Sequence, residues 1–237
     1  MSEPLKLIVL SGGLGTRIRS SIQGRPKALA PIRGSTFIEF LLEDWVRKGI
    51  TDFLLLLGHK GHDIEEVLLK STKVQSLNIK LDFLHEESLL GTGGAVVNAI
   101  HEKSLQGKFL VINSDTWITD NHKDLIKTES PSIAIIEVED TSRFGEVLLD
   151  KNNYVIDFLE KNGEKKRGFI NSGLYLLDDS LFHRWSKGEV LSMEKDCFPE
   201  FIKSRELSAC TIQGNFIDIG VPEDYNYFKN NLEDFRS

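Results

Sequence analysis

The chain has 237 residues, of which 40% are hydrophobic and 27% charged, enough for one domain with a substantial buried core. The net charge is -7 and no long stretch concentrates lysine and arginine, which excludes broad binding to nucleic acid or an anionic membrane. Two cysteines without a Cys-x-x-Cys pair, and without partner histidines at metal-ligand spacing, argue against a zinc site, and no apolar run approaches the roughly eighteen residues of a membrane span. We therefore expect a protein of the reducing cytoplasm.

Short apolar runs alternate with segments of helical period in residues 1–130, which is the pattern of βαβ units. Strands that are apolar throughout and separated by helices predict a mostly parallel sheet with right-handed crossovers. The predicted strands lie at 5–10, 52–58, 79–86 and 109–115, and the predicted helices at 37–49, 62–71 and 91–103.

The pattern changes after about Pro131, where strand-like runs follow one another with few helices between them. We predict one α/β domain over residues 1–237, with a Rossmann-like, mixed but mostly parallel sheet flanked by helices and a β-rich half from residue 131 onward. The predicted strands of this half lie at 132–139, 145–161 with a turn at 150–153, 168–178 and 207–220, and the helices at 197–205 and 222–235.

Three glycines, Gly12, Gly13 and Gly15, follow the first predicted strand. Glycines between a strand and a helix let backbone N–H groups approach an anion without obstruction by a Cβ atom. The Rossmann fingerprint fails because Ile18 replaces its third glycine, and no lysine follows in the manner of a Walker A loop. From these residues alone, an anion-binding loop and a purely structural turn both remain as interpretations.

The stretch "GGLGTRI", followed by "RPKALAPI", resembles the signature of sugar-1-phosphate nucleotidyltransferases, commonly G-G-x-G-T-R-[LM] and then P-K-x-[LM]-x-P. The resemblance implies that Leu10, the three glycines and Thr16 bind a nucleoside triphosphate. It also implies that Arg17 and Lys27 are catalytic, because two cations can hold the phosphates and offset the charge that builds at the α-phosphorus.

The segment "EESLLGTGGAV" at residues 86–96 resembles the family's E-x-x-x-L-G-T-[AG]-G segment, which lines the nucleotide base and ribose. The resemblance implies that Glu86, Gly91, Thr92 and Gly93 bind the nucleotide, with the base lying flat against the glycine backbone. A glycine-rich helix start capped by Thr92 is the alternative interpretation.

Two aspartates resemble the metal ligands of the family. Asp115 in "VINSDTW" matches [NG]-[GS]-D at the end of a predicted strand, and Asp218 in "FIDIGVPEDY" matches [FW]-x-D-x-G-[TV]-P-E-D-Y. Ligands of open α/β sheets bind at the carboxyl ends of the strands, although a single aspartate there could equally cap a helix. The resemblance implies that both carboxylates bind Mg²⁺, with Asp115 also counted as catalytic.

The resemblance implies a nucleotide-binding half at residues 1–130 and a sugar-phosphate-binding half at residues 131–237, and the second half contains segments that resemble the family's sugar-phosphate site. The segment "LSMEKDCFPEF" resembles S-L-E-K-D-x-F-P, but helix capping explains its Glu194 and Asp196 nearly as well as substrate contact. The residues that the resemblance assigns to the sugar phosphate are Gly145, Glu160, Lys161 and Asn171.

The resemblance covers nearly the whole chain and implies transfer of a nucleoside monophosphate from a nucleoside triphosphate to a sugar 1-phosphate, with release of pyrophosphate. Among subfamilies, "GTRIRSSIQGRPKALAPI" and "SMEKDCFP" are most similar to D-glycero-alpha-D-manno-heptose 1-phosphate guanylyltransferases, which implies GTP and surface polysaccharide synthesis. A mannose-1-phosphate guanylyltransferase, a uridylyltransferase and a non-catalytic nucleotide-sugar-binding subunit are the alternatives. The sequence carries no signal for the oligomeric state.

Overall fold

The computed structural model describes residues 5–13, 15, 17–18, 21–119, 122–160 and 163–235. Two of the candidate site residues, Thr16 and Lys161, lie outside the described residues. The other candidates are all described, so their surroundings can be compared with the roles that the resemblance implies.

The helices and strands follow the predicted order. In the described part of the chain, no helix is both long and apolar enough to cross a membrane. The strands are β1 Lys6–Ser11, β2 Pro31–Ile32, β3 Ser35–Thr36, β4 Asp52–Leu57, β5 Lys80–His85, β6 Lys108–Asn113, β7 Thr116–Ile118, β8 Ser132–Val138, β9 Glu146–Leu149, β10 Val155–Leu159, β11 Gly168–Asp178, β12 Ser208–Thr211 and β13 Phe216–Asp218. The helices are α1 Phe37–Arg47, α2 Gly61–Lys70, α3 Thr72–Gln75, α4 Gly91–Lys103, α5 Phe198–Lys203 and α6 Pro222–Asn230.

The central sheet has seven strands in the order β12, β8, β11, β6, β1, β4, β5. Strand β4 pairs in parallel with both β1 and β5, and β12 pairs in parallel with β8. Strand β11 runs antiparallel to β8. The sheet is therefore mixed and mostly parallel, as the alternation of apolar runs and helices predicts, and this fold class is confirmed.

Sequence and structure differ at short elements. The helix predicted at 222–235 ends at Asn230, and a single 3₁₀ turn, Leu232–Phe235, follows it. The three-residue strand β7 pairs antiparallel with β13, and the two-residue strands β2 and β3 form a hairpin. Elements of two or three residues are too short to carry a period, so the sequence pattern could not predict them.

The chain divides into two compact units. Unit 1 contains residues 1–90, 112–119 and 215–237, and unit 2 contains residues 91–111 and 120–214. Unit 1 therefore consists of three separate segments of sequence. The division into two functional halves at residue 130 stays a prediction.

A cluster of aromatic rings joins the three segments of unit 1. The ring of Phe37 on α1 lies 6.1 Å from that of Trp117 on β7 and 5.2 Å from that of Phe228 on α6, measured between centroids. The indole N–H of Trp117 donates a hydrogen bond of 3.1 Å to the carbonyl of Phe235. These buried contacts fix β7 and α6 against α1, and so fix the position of β13, which lies beside β7.

A second aromatic cluster forms the core of unit 2. Phe198, at the start of α5, stacks on Phe158 of β10 with ring centroids 5.5 Å apart and meets Tyr175 of β11 edge-on at 5.1 Å. Phe201, one turn later on α5, packs edge-on against Phe182. This cluster joins the β9–β10 hairpin, β11 and α5, which carry or flank the residues assigned to the sugar phosphate.

The start of α1 in unit 1 depends on the buried carboxylate of Glu39, which is only 8% exposed. Its Oε2 accepts hydrogen bonds from the Thr36 N–H and from the Ser35 and Thr36 hydroxyls, and its Oε1 accepts one from the Ser71 hydroxyl. Burial acts to raise the pKa of Glu39, but these hydrogen bonds outweigh it and hold the pKa below its ordinary value of 4.5. The ionised carboxylate therefore ties α1 to the start of α3.

We expect Glu39→Ala to lower the free energy of unfolding at pH 7 by about 2–4 kcal/mol, because the Thr36 N–H and three hydroxyls lose their acceptor. Glu39→Gln keeps an acceptor but not the charge, so it should lower the free energy of unfolding by less than Glu39→Ala does. Because the pKa of Glu39 is lower in the folded state, the stability from its charge is lost as pH falls below 4.5. Urea denaturation from pH 7 to pH 3.5 should therefore show the wild type and Glu39→Gln converging at acid pH. A difference that grows toward acid pH would contradict this assignment.

Candidate active site

In unit 1, the glycine loop begins where the carboxyl ends of β1, β4 and β5 meet. A Cβ atom on Gly12 would lie 2.9 Å from Oε2 of Glu86, and one on Gly58 would lie 2.7 Å from the Cα of Gly12. Gly12 follows β1, Gly58 follows β4 and Glu86 follows β5. A side chain on Gly12 would displace the Glu86 carboxylate, whereas one on Gly58 would meet the Gly12 backbone itself, so packing requires glycine most strictly at Gly58.

The other described glycines of the loop are Gly13, which is exposed, and Gly15, which is half-buried. A Cβ on Gly13 would meet nothing within 4 Å among the described residues, and Gly15 has a φ of +59° and packs against Lys27. Leu10 is buried, and its carbonyl accepts a hydrogen bond of 2.9 Å from the N–H of Ser114. This bond fixes the start of the loop beside the segment that carries Asp115.

Lys27 and Asp115 form an ion pair in unit 1, although they are far apart in sequence. Lys27 begins a short 3₁₀ turn after Pro26, and its Nζ is in direct contact with Oδ2 of Asp115. Both side chains are 18% exposed, so solvent screens the pair only in part. The structure thus brings together one predicted phosphate ligand and one predicted metal ligand.

Asp218 completes this group of charges. It ends β13, and its Oδ1 accepts a hydrogen bond of 2.7 Å from the N–H of Gly220. Burial and the negative charge of Asp115 raise the pKa of Asp218 to about 6. Lys27, the Gly220 N–H and Arg17 act in the opposite direction and limit the rise.

The group formed by Arg17, Lys27, Asp115 and Asp218 is named the phosphate–metal cluster below. Two neighbouring carboxylates form a site that a hard divalent cation would stabilise, since such cations prefer carboxylate oxygen ligands. Two basic side chains in the same group suit the phosphates of a nucleotide. The residues present therefore fit both a divalent ion and a polyphosphate.

Glu86 has one carboxylate oxygen without a partner. Its Oε1 is buried and accepts no hydrogen bond from the described residues, whereas the N–H of Leu90 donates to the carboxylate. Burial raises the pKa of Glu86 above its ordinary value, and the Leu90 N–H lowers it by less. A buried carboxylate oxygen without a donor is costly, so it is suited to accept a hydrogen bond from a ligand.

In unit 2, the segment 91–93 is used by the protein itself. The N–H groups of Gly93 and Gly94 donate to the Leu191 carbonyl at 2.9 and 3.1 Å, and the Thr92 hydroxyl accepts a hydrogen bond of 2.9 Å from the N–H of Met193. A Cβ on Gly91 would lie 2.4 Å from the same Leu191 carbonyl oxygen. These residues thus hold the 191–193 segment, and contact with a nucleotide base stays a prediction.

The residues assigned to the sugar phosphate also lie in unit 2. The Asn171 amide on β11 donates to the Tyr175 hydroxyl at 3.1 Å and to Oε1 of Glu194 at 2.9 Å. Glu160 is exposed and lies 3.9 Å from the ammonium of Lys195. Asn171, Glu160 and Glu194 therefore offer polar atoms that could bind sugar hydroxyls.

Two further candidates have local structural roles. Gly145 has a φ of +82°, which favours glycine, and its N–H donates to the Thr141 carbonyl at 3.1 Å. Asp196 accepts a hydrogen bond of 2.7 Å from the N–H of Ser192 at the start of the π-helical turn Met193–Cys197. Asp196 thus makes the capping contact that was the alternative to substrate binding.

The sequence predicts Gly58 only as the last residue of a strand and does not predict its role in close packing. Its Cβ position is blocked by Gly12 and by the Glu86 carboxylate, so a second glycine is needed where the three strands end. A glycine directly after a buried parallel strand, opposite a glycine loop, is the signal that could have indicated it. The link between segments 91–94 and 191–193 had no comparable signal, because no local pattern predicts a contact over that sequence separation.

Comparison with known proteins places these observations in a family. Residues 6–234 match the model of the family described as Nucleotidyl transferase. Members of this family generally use a divalent metal ion. The chain is 37% identical, over 94% of its length and 98% of the relative's, to the D-glycero-alpha-D-manno-heptose 1-phosphate guanylyltransferase of Campylobacter jejuni.

A more distant relative and a solved structure agree with this assignment. The chain is 31% identical over 93% of its length to the mannose-1-phosphate guanylyltransferase catalytic subunit beta of Drosophila melanogaster, of which it spans 60%. The crystal structure of HddC from Yersinia pseudotuberculosis has a TM-score of 0.85 at 34% identity, covering 96% of this chain and 99% of that one. HddC complexed with GMP-PN gives a TM-score of 0.84 at 33% identity. The match over nearly the full length, together with the shared fold, shows that the chain belongs to the nucleotidyl transferase family.

Proposed function

We propose that the chain is a cytoplasmic guanylyltransferase that uses Mg²⁺ to transfer GMP from GTP to D-glycero-alpha-D-manno-heptose 1-phosphate, and so supplies an activated heptose for surface polysaccharide. The observation that carries this proposal is the phosphate–metal cluster at the glycine loop in unit 1. The names of the Campylobacter relative and of the GMP-PN complex support the choice of sugar and base.

In the proposed reaction, a phosphate oxygen of the sugar phosphate attacks the α-phosphorus of GTP. A new O–P bond forms, the bond to the bridging oxygen breaks, and pyrophosphate leaves with the electron pair. The attacking oxygen is already anionic, so no general base is required. Catalysis then depends on holding two anions together and stabilising the transition state with fixed positive charge.

Lys27 and Arg17 supply this charge in the proposal. The Lys27 ammonium has three N–H donors, so it can hold Asp115 and still donate to a phosphate. The Arg17 guanidinium is exposed and acts on the same group of charges as Lys27. When held by Asp115 and Asp218, Mg²⁺ would supply further positive charge to offset that of the triphosphate.

Glu86 supports guanine as the base. Among the common bases, guanine alone presents two neighbouring donors, N1–H and the 2-amino group, on its pairing edge. A carboxylate accepts both at once, whereas uracil and thymine would place carbonyl oxygens against it. In the proposal, the buried Oε1 of Glu86, which has no donor from the described residues, accepts one of these two hydrogen bonds.

The sugar phosphate is assigned to unit 2. Asn171 and Glu160 bind sugar hydroxyls in the proposal, and the backbone at Gly145 approaches the sugar closely. Lys161, which would hold the incoming phosphate, lies outside the described residues. Glu194 is added to this set because it shares the Asn171 amide.

A mannose-1-phosphate guanylyltransferase is the second candidate, supported by the Drosophila relative. Mannose 1-phosphate shares the ring configuration of the heptose and lacks only its seventh carbon, so the two substrates differ at one end of the sugar. A uridylyltransferase is less favoured because of Glu86. A binding subunit without turnover is less favoured because Arg17, Lys27 and both aspartates are present.

We expect pyrophosphate release to be fastest with GTP and the heptose 1-phosphate when each nucleoside triphosphate is tested against heptose, mannose and glucose 1-phosphates. The outcome separates the hypotheses: higher kcat/KM with mannose 1-phosphate would favour the second candidate, and preference for UTP would identify a uridylyltransferase. Absence of pyrophosphate with every pair, while GTP or GDP-sugar still binds, would overturn the enzymatic proposal in favour of a binding protein.

We expect Asp218→Asn to lower kcat by roughly 10²–10⁴-fold at saturating Mg²⁺ and yet to stabilise the metal-free protein. The pKa of Asp218 is about 6 in the folded protein, against an ordinary 3.8, so the folded state binds its proton more tightly. The carboxylate therefore destabilises the fold as pH rises from about 4 to above 6, and asparagine removes this cost.

Urea denaturation in EDTA should show Asp218→Asn to be more stable than the wild type at pH 7.5, with the difference vanishing near pH 4. Asp82→Asn on β5 is a matched control, because it removes one carboxylate of unit 1 outside the cluster. Equal stability of wild type and Asp218→Asn at both pH values, or turnover near that of the wild type, would contradict the cluster's assignment.

We expect Glu86→Gln to lower kcat/KM for GTP by about 10–150-fold, corresponding to loss of a hydrogen bond to a charged group. Glutamine offers one acceptor and one amide donor. Its amide N–H would therefore face one of guanine's two N–H donors, and that contact would be repulsive. The kcat/KM for inosine triphosphate, which lacks the 2-amino group, should fall by less than the kcat/KM for GTP. The ratio of kcat/KM for GTP to that for UTP should also fall. An unchanged ratio of GTP to inosine triphosphate in a well-folded Glu86→Gln variant would show that Glu86 does not select the base.

A further inference from the structure

A second group of metal-ligating side chains lies in unit 1, outside the phosphate–metal cluster. His62 and Glu65 are three residues apart in the first turns of α2, so they share one face of the helix, and His85 is the last residue of β5. The ligand atoms of the three side chains all lie within 4.8 Å of one another. Neither the family resemblance nor the proposed reaction uses this group.

The two imidazoles and the carboxylate lie beside one another. Oε2 of Glu65 lies 2.6 Å from Nε2 of His85 and 3.9 Å from Nδ1 of His62. The two rings stack with centroids 4.2 Å apart and planes 21° apart. A hydrogen-bonded pair of Glu65 and His85 would need no second imidazole, so the stacked His62 is what distinguishes this group from an ordinary structural contact.

These separations are close to those that a bound ion requires. Nitrogen and oxygen ligands of Zn²⁺ lie about 2.0–2.2 Å from the metal, so tetrahedral neighbours are about 3.3–3.5 Å apart. The distance from Oε2 of Glu65 to Nε2 of His85 must lengthen by about 0.7–0.9 Å, and the distance from Oε2 of Glu65 to Nδ1 of His62 must shorten by about 0.4–0.6 Å. The His62 side chain is 87% exposed and can rotate without disturbing the core.

The neighbouring backbone favours the arrangement. A Cβ on Gly61 would lie 3.1 Å from Nδ1 of His85, so the glycine lets the imidazole pack closely against the start of α2. The side chains of Glu65 and His85 are 29% and 30% exposed, which protects them partly from water. The fourth position of a tetrahedral ion would lie open to solvent on the side of His62.

We propose that His62, Glu65 and His85 form a binding site for a transition-metal ion of the Zn²⁺ type, joining the end of β5 to the first turn of α2. Two imidazoles and one carboxylate select Zn²⁺, Ni²⁺ or Co²⁺ over Mg²⁺, whereas the all-carboxylate pair Asp115 and Asp218 has the opposite preference. The protein thus has two cation sites that take different ions. Because Glu86 directly follows His85, an ion here also fixes the backbone from which Glu86 extends.

The test uses full-length, tag-free protein stripped with a chelator and titrated with Zn²⁺ in competition with a chromophoric chelator. One saturable site per chain is expected, together with a rise in Tm as the ion stabilises the folded state. Excess Mg²⁺ should leave the Zn²⁺ affinity unchanged. Co²⁺ in place of Zn²⁺ should give the intense visible absorption of a four- or five-coordinate ion.

His62→Asn is the main variant, because His62 is exposed and its loss leaves the fold intact. This variant should lower the Zn²⁺ affinity by more than about 10–100-fold. A loss of that size is typical when a residue that only hydrogen-bonds to a metal ligand is removed. His183→Asn is the matched control: His183 is also exposed and lies 3.6 Å from the carboxylate of Asp179, but belongs to no three-ligand group in the described part of the chain. It should leave Zn²⁺ binding unchanged.

Asp218→Asn separates the two cation sites. Retention of Zn²⁺ binding in Asp218→Asn, with loss in both His62→Asn and His85→Asn, is the result expected. No saturable Zn²⁺ binding, or the same affinity and the same Co²⁺ spectrum in His62→Asn as in the wild type, would overturn the proposal. None of these measurements includes a nucleotide or a sugar phosphate, so their outcome is independent of the proposed reaction.

Discussion

Two carboxylates of like charge, Asp115 and Asp218, are held beside the ammonium group of Lys27. The need to hold these three charges together is the constraint around which unit 1 is arranged. Burial and the Asp115 charge raise the pKa of Asp218 by more than Lys27 lowers it. Each of the three segments of unit 1 supplies one of these residues, and the aromatic cluster fixes the segments together. A bound divalent cation would relieve this repulsion, so the metal-free fold carries an electrostatic cost that cation binding would offset.

Much of the fold could be predicted because its elements carry strong periodic patterns. Helix α4 has the predicted bounds, Gly91–Lys103, and the strands β1, β4 and β5 lie within one residue of the runs that predict them. The residues of the phosphate–metal cluster could also be named from the sequence, because each of them lies in a short motif of neighbouring residues.

The rest of the site depends on contacts between residues distant in sequence. The glycines of the 91–94 segment were expected to leave room for a base, yet their N–H groups bind the Leu191 carbonyl. Gly12 was expected to admit a phosphate, yet its lack of a side chain also makes room for Glu86. In both cases the sequence indicates that no Cβ fits but not what occupies the space, because the neighbour comes from another part of the chain.

The division of unit 1 into three segments has a consequence for the order of events during synthesis. Residues 120–214 of unit 2 are translated before β13, so unit 2 can fold while Asp115 and Lys27 still lack their third partner. Asp218 can therefore join Lys27 and Asp115 after unit 2 has folded. The phosphate–metal cluster is thus assembled only after all three segments of unit 1 have been translated.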